Sequence, residues 1–139
     1  MIWAVIDTTI WVSGFGWGGA PGEVVDRFVR GEFLAVTSPA LLEELSEVLR
    51  REKFADVFPD PDRLMALVQT STALVSPETK LAVFADEADN RLLEAAAEAD
   101  ADFVVTGDKA VLDFGALDQT RMTTPRRFVE ILDEGLDGR

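Results

Sequence analysis

The sequence predicts an α/β fold: one domain with a mostly parallel sheet sandwiched between helices. Three observations predict it. Short, nearly continuous apolar runs at residues 2–6, 33–37 and 102–106 suit strands buried on both faces of a parallel sheet. Segments with helical spacing alternate with these runs, as crossover connections between parallel strands require. The chain has 139 residues, 47% of them hydrophobic, enough for one core and too few for two. The single domain is expected to span residues 1–139, with no repeat, linker or low-complexity segment.

The first strand, Ile2 to Ile6, ends at Asp7-Thr8-Thr9. The stretch holding Gly14, Gly16, Gly18 and Gly19 reads as a loop, because its glycines do not fit a phosphate-binding GxGxxG. Trp11, Phe15 and Trp17 in or beside it are read as core or oligomer-contact groups rather than base-stacking ones. Pro21 opens a helix to about residue 30, with Val24, Val25, Phe28 and Val29 on one face and Gly31 at its end. After the second strand, Ser38-Pro39 caps a helix to about Arg51, with a stripe of Leu41, Leu45, Val48 and Leu49. A short helical piece at 52–57 and a helix at 61–74 follow, and 81–84 is a candidate strand. Asp86 opens a helix that buries Leu92, Leu93, Ala96 and Ala97. The third strong strand precedes Gly107-Asp108 and a short helix at 109–113. A weak strand at 120–123 and a helix from Pro125 to about Glu134 close the domain.

The composition excludes much chemistry. With no cysteine there are no disulfides, thiolate metal sites or cysteine nucleophiles. With no histidine there is no serine–histidine triad, histidine base or imidazole ligand. The 26 acidic and 13 basic residues give a formal charge of −13, which opposes nucleic acid and anionic membranes unless metal ions or a local basic patch intervene. Arg50, Arg51 and Lys53 form one basic cluster, and Arg121, Arg126 and Arg127 another; each also reads as solvated surface. No basic residue precedes Arg27 and Asp7 interrupts the first apolar stretch, unlike a secretory signal. No apolar run reaches the roughly 18 residues of a membrane span. A cytoplasmic protein without membrane association is expected.

Ligands of parallel α/β sheets bind outside the carboxyl ends of the strands. Asp7 and Asp108 stand at two such ends. Each has a second reading, Asp7 as a turn residue and Asp108 as a helix cap. Glu44 falls at the rim of its helix's apolar stripe, while Glu43 and Glu47 point further out. Asp89 lies in the first turn of its helix, where a carboxylate favours the dipole, with Asp86 the better cap. Two strand-end and two helical carboxylates can converge on one all-oxygen pocket. Such a pocket suits hard ions such as Mg²⁺ and Mn²⁺, and without an ion its carboxylates would repel and some would protonate. The chemistry that follows is metal-assisted phosphodiester hydrolysis.

Four segments in order, Val5-Ile6-Asp7-Thr8-Thr9, Ser38 to Leu45, Asp86 to Glu94 and Val104 to Lys109, resemble the successive motifs of the PIN-domain family. Thr124-Pro125-Arg126-Arg127-Phe128 resembles the closing signature of one branch, the toxin components of bacterial and archaeal toxin–antitoxin systems. The resemblance covers nearly the whole chain. It implies a three-layer α/β/α sandwich that cuts single-stranded RNA with Mg²⁺ or Mn²⁺. It further implies a cognate antitoxin partner and a homodimer. By motif match Asp7, Glu44, Asp89 and Asp108 become the metal-binding and catalytic quartet, with Thr106, Thr9 and Asn90 as polar support. Thr9 stands where the family usually has Asn, keeping a hydroxyl and losing the amide. Asp86 resembles a position that is often acidic and usually not a primary ligand.

Two other function classes compete. A non-catalytic RNA- or protein-binding module would keep the fold, but a complete quartet argues against it. A phosphotransfer domain fits poorly: an aspartyl phosphatase needs Asp where Thr9 stands, and a receiver domain needs an acidic pair after its first strand.

Overall fold

The computed structural model describes residues 1–135. The chain runs β1 (Trp3–Ile6), α1 (Thr8–Gly16), α2 (Gly19–Val29), β2 (Leu34–Thr37), α3 (Pro39–Leu49), a 3₁₀ turn (Glu52–Phe54), α4 (Pro61–Ser71) and β3 (Ala73–Leu74). It continues through α5 (Glu87–Ala99), β4 (Phe103–Val105), α6 (Lys109–Phe114), β5 (Ala116–Leu117), β6 (Thr120–Thr123) and α7 (Pro125–Asp133). The sheet order is β3-β2-β1-β4-β6-β5. All neighbours are parallel except β5 and β6.

Alternation along each strand builds two cores, one on each face. Ile2, Ala4 and Ile6, with Phe33, Ala35 and Val105, face a layer that includes Trp11, Val24, Phe28, Leu45, Met65 and Phe128. Val5, Val36 and Val104 face the opposite layer, where α5 supplies Leu92, Ala95 and Ala96 and α6 supplies Val111. The result is the expected three-layer α/β/α sandwich. Val5, Val36 and Val104 are at most 2% exposed, which explains why these strands read as continuous apolar runs. Each such side chain stabilises the fold by roughly 1.5–3 kcal/mol.

The topology also selects a place for a ligand. From β1 the chain proceeds outward to β2 and β3, then returns to β4 on the other side of β1. The switch point therefore lies between β1 and β4, whose carboxyl ends lead into Asp7 and into Gly107-Asp108.

Several elements depart from the sequence reading. The glycine-rich stretch expected as a loop is largely helix. Gly14 lies on α1 where a Cβ would come within 2.6 Å of Val25 Cγ2 and 2.7 Å of the Pro21 carbonyl oxygen. It is there to let α1 and α2 touch. Only Gly18 and Gly19, with φ of +78° and +66°, make the turn. The next helix begins at Gly19, so Pro21 sits inside its first turn. The helix expected at 61–74 stops at Ser71. Both the amide and the hydroxyl of Thr72 donate to the Val68 carbonyl (3.1 and 2.7 Å), and extended backbone at Thr72 releases Ala73–Leu74 to pair with β2.

Residues 81–84 form no strand. Their backbone is held by side chains at four-residue intervals along α5. Asn90 Oδ1 accepts from Val83 and Phe84 N–H (3.0 and 2.8 Å), Glu94 from Leu81 (2.8 Å) and Glu98 from Glu78 (3.2 Å). The segment forms no strand because a polar helix stripe, not a neighbouring strand, satisfies its backbone. The β5–β6 hairpin was not foreseen; its tight turn holds Asp118 at φ +52°.

Candidate active site at the sheet switch point

Asp7 follows β1 directly and caps α1, its carboxylate accepting the Thr9 N–H at 3.4 Å. Asp108 caps α6 in the same way, accepting from Ala110 (2.8 Å) and Val111 (3.3 Å). The capping and site readings coexist: at Asp108 the cap bonds use Oδ1 alone, and at Asp7 each oxygen accepts one hydrogen bond and keeps a further lone pair for a ligand. Thr106, fully buried at the end of β4, links the two. Its hydroxyl donates to Asp7 Oδ2 at 2.7 Å and accepts the Asp108 N–H at 3.0 Å.

Glu44 enters from α3 and Asp89 from the first turn of α5. Glu44 is half-buried while Glu43 is exposed, as the helical register requires. Asp86 caps α5 through the Ala88 N–H at 2.9 Å. All five carboxylates, with Thr9, Ile10, Ser13 and Gly107, line one cleft of about 410 Å³. The quartet named from the sequence therefore converges, and Thr106 and Thr9 stand with it. Asn90 does not line the cleft; its amide is spent on residues 83 and 84, where Nδ2 also donates to the Phe84 carbonyl at 2.9 Å.

The carboxylates feel one another. Burial pushes Asp89 up to about 6, and Asp108, Asp86, Asp7 and Glu44 add to the rise. Burial also raises Asp7, with a smaller push from Asp108, against hydrogen bonds from Thr106 and Thr9. Glu44 rises through burial and then the charge of Asp7, while the Thr8 hydroxyl and Arg51 oppose the shift. The sequence reading missed Thr8 and Ser13 because residues 8–16 were not read as a helix. A helix beginning at Asp7 places both on its early turns.

Among the described residues, no three carboxylates sit close enough to form a ready-made ion cage. The donor set nevertheless fits a hard ion. Mg²⁺ keeps several waters and takes only one or two carboxylates plus substrate phosphates, so an open acidic cleft suits it better than a closed cage. A cation would also offset the raised Asp89, Asp7 and Glu44, which burial first and neighbouring carboxylates second push toward the protonated form.

Fold and cleft together define a class: a three-layer α/β/α domain with an acidic cleft at the switch point of its sheet. The chain belongs to the PIN-domain family, whose pattern matches residues 4–110. PIN domains are generally nucleases. The chain is 25% identical to the uncharacterised protein MJ1680 of Methanocaldococcus jannaschii over 138 residues, covering 91% of this chain and 88% of that one. Its fold is similar to a chain in the crystal structure of VapBC2 from Rickettsia felis bound to a DNA fragment from their promoter. There the TM-score is 0.60 and the identity 11%, over 88% of this chain and 98% of that chain. No helix among the described residues is long and apolar enough to cross a membrane.

Proposed function

We propose that this protein is a Mg²⁺- or Mn²⁺-dependent endoribonuclease that hydrolyses single-stranded RNA, acting as the toxin of a toxin–antitoxin pair. The observation that carries the nuclease reading is the convergence of Asp7, Glu44, Asp89 and Asp108 from four separate elements on one cleft. Membership of the PIN-domain family supports the same reaction class. The toxin assignment and an antitoxin partner draw support from the similarity to the VapBC2 structure and from the Thr124 to Phe128 segment.

Asp7 and Asp108 would hold the ion from the strand ends and Asp89 from α5, with Glu44 completing the set or orienting water. When bound, the ion supplies Lewis-acid stabilisation of the phosphate charge and an activated water. The chain's own part is positioning. Thr106 fixes Asp7 and Asp108 relative to each other, and its hydroxyl, with the Thr9 amide and hydroxyl, offsets part of the burial that raises Asp7. Glu44 is poised between burial, which favours a proton, and Arg51 and Thr8, which oppose one.

The direct test is cleavage of a generic single-stranded RNA with Mg²⁺, Mn²⁺ or excess chelator. Cleavage should require the ion and vanish in chelator. Full activity in chelator, or none under any condition, would overturn the reading.

A further inference from the structure

We propose that single-stranded RNA reaches the cleft along a track made by Arg51, Lys53 and Trp17, with the Trp17 indole as a stacking platform for a base; this rests on the endoribonuclease reading above. The track begins inside the cleft. Ile10 and Ser13 line it, and Trp17 continues their stripe along α1 at three- and four-residue steps, its N–H bonded to the Ser13 carbonyl at 2.8 Å. On the neighbouring helix Glu44 lines the cleft. Arg51, seven residues on and just past α3, is the cation whose field reaches Glu44.

Trp17 is 60% exposed, whereas Trp11, six residues earlier, is 4% exposed in the core. Of the two readings of the tryptophans, core or oligomer contact, Trp11 takes the first and Trp17 is a surface group. Phe54 and Phe58 meet the indole edge-to-face at 5.6 and 6.0 Å, and Val57 and Phe58 pack against Gly16. These contacts fix the ring and leave much of it open. The Lys53 ammonium sits 5.0 Å from the centroid of the Phe54 ring, placing a cation beside the platform.

Two cations without carboxylate partners near the indole favour an anionic occupant. Arg27, Arg30, Arg50, Arg91, Lys109 and Arg127 are all engaged by carboxylates. Among the described residues no ion pair engages Arg51 or Lys53. Arg63, Lys80, Arg121 and Arg126 are also outside the ion pairs among the described residues, but no cation–ring contact accompanies them and they are not among the causes acting on Asp7, Glu44 or Asp89. Exposed Glu47 and Glu52 on the same elements limit the attraction. In a chain of net charge −13, a neutral stacking contact is the one that does not suffer from the overall repulsion.

The test pairs steady-state cleavage of a short oligoadenylate in Mg²⁺ with stopped-flow tryptophan fluorescence on mixing. Trp17→Ala should raise KM about tenfold with kcat within about twofold, and Trp17→Phe should restore most of the affinity, because a stacking face is what counts. Lys53→Gln should raise KM about threefold and lower the salt slope of binding by about one. Arg126→Gln should leave KM unchanged. The rapid fluorescence change of the parent should be absent in Trp17→Phe. A KM indifferent to Trp17→Ala would overturn the track, and so would protection of Trp17 from iodide by a second copy or a partner protein that leaves KM unmoved. If the parent shows the Trp17-dependent fluorescence change without any cleavage, the track stands and the nuclease reading falls. Cleavage with a Trp17-independent KM gives the reverse, and neither signal overturns both.

Discussion

Asp7 and Asp89 lie in the same cleft and are equally buried, at 8% and 7% exposure, yet their environments differ. Asp7 belongs to the strand-end half. Thr106 donates to one of its oxygens at 2.7 Å and the Thr9 amide approaches the other, offsetting part of the burial penalty. Asp89 belongs to the helical half. Every main influence on it, burial first and then four other carboxylates, favours a proton. Equal burial therefore yields one carboxylate locked by hydrogen bonds and another that responds to charge. The strand-end half is a built scaffold, and the helical half is where the proposed cation would relieve the most repulsion.

Breaking the strand-end pair of carboxylates should have the largest effect. Asp7→Asn and Asp108→Asn should each lower cleavage at least about a hundredfold, some 2.7 kcal/mol of barrier, while far-UV and near-UV circular dichroism stay native. Asn keeps the cap at each helix start, so the loss would reflect the site and not the fold.

Thr106→Val comes next. It removes the hydroxyl shared by Asp7 and the Asp108 amide in a position that is 0% exposed. Activity should fall about tenfold and stability by about 1 kcal/mol, measured by denaturant titration. The pH profile of cleavage should also move to higher pH, because the Thr106 bond lowers Asp7.

Acidity sharpens the contrast at the helical half. Asp89 is at about 6 in the folded chain against an ordinary 3.8, so the folded state binds more protons across that window. Apo stability should then fall as pH rises from about 4 to 7. Asp7 and Glu44, also raised, contribute with the same sign. Melting temperatures in chelator at pH 5 and pH 7 check this, with the higher value expected at pH 5.

The smallest effect is expected at Glu43→Gln. Glu43 is exposed one position from the half-buried Glu44, and cleavage should change by less than about twofold. Equal losses at Glu43 and Glu44 would erase the register that brings α3 into the cleft.

How much of this was legible in the sequence follows the same division. β1, β2 and β4 announce themselves because strands covered on both faces must be apolar throughout. Asp7 and Asp108 follow from strand ends and caps, which are local. Glu44 needed only a helical wheel. The convergence of all four depends on β4 lying beside β1, which apolar periodicity does not encode; the order of motifs supplied it. The two-residue strands β3 and β5 escaped because neither carries a period. Residues 81–84 misled because Asn90 and Glu94 are partners supplied from α5, outside the segment. Gly14 misled because a glycine at a helix crossing has the same letter as one in a loop. The exposure of Trp17 depends on how Phe54 and Phe58 return to α1, a contact spanning about forty residues of chain.

The four carboxylates line one cleft, and the proposed cation would relieve their mutual repulsion. Thermal melts of the parent and Asp89→Asn at pH 7, each in chelator and in excess Mg²⁺, test it most directly. In chelator the variant should melt about 3–8 °C above the parent, since removing a repelled charge outweighs the loss of under about 1 kcal/mol at the helix N-terminus. Mg²⁺ should raise the parent clearly and the variant much less, because binding to the native state is what shifts the melt. A variant that melts below the parent in chelator and responds to Mg²⁺ as strongly as the parent would place Asp89 outside the cation site and contradict the account.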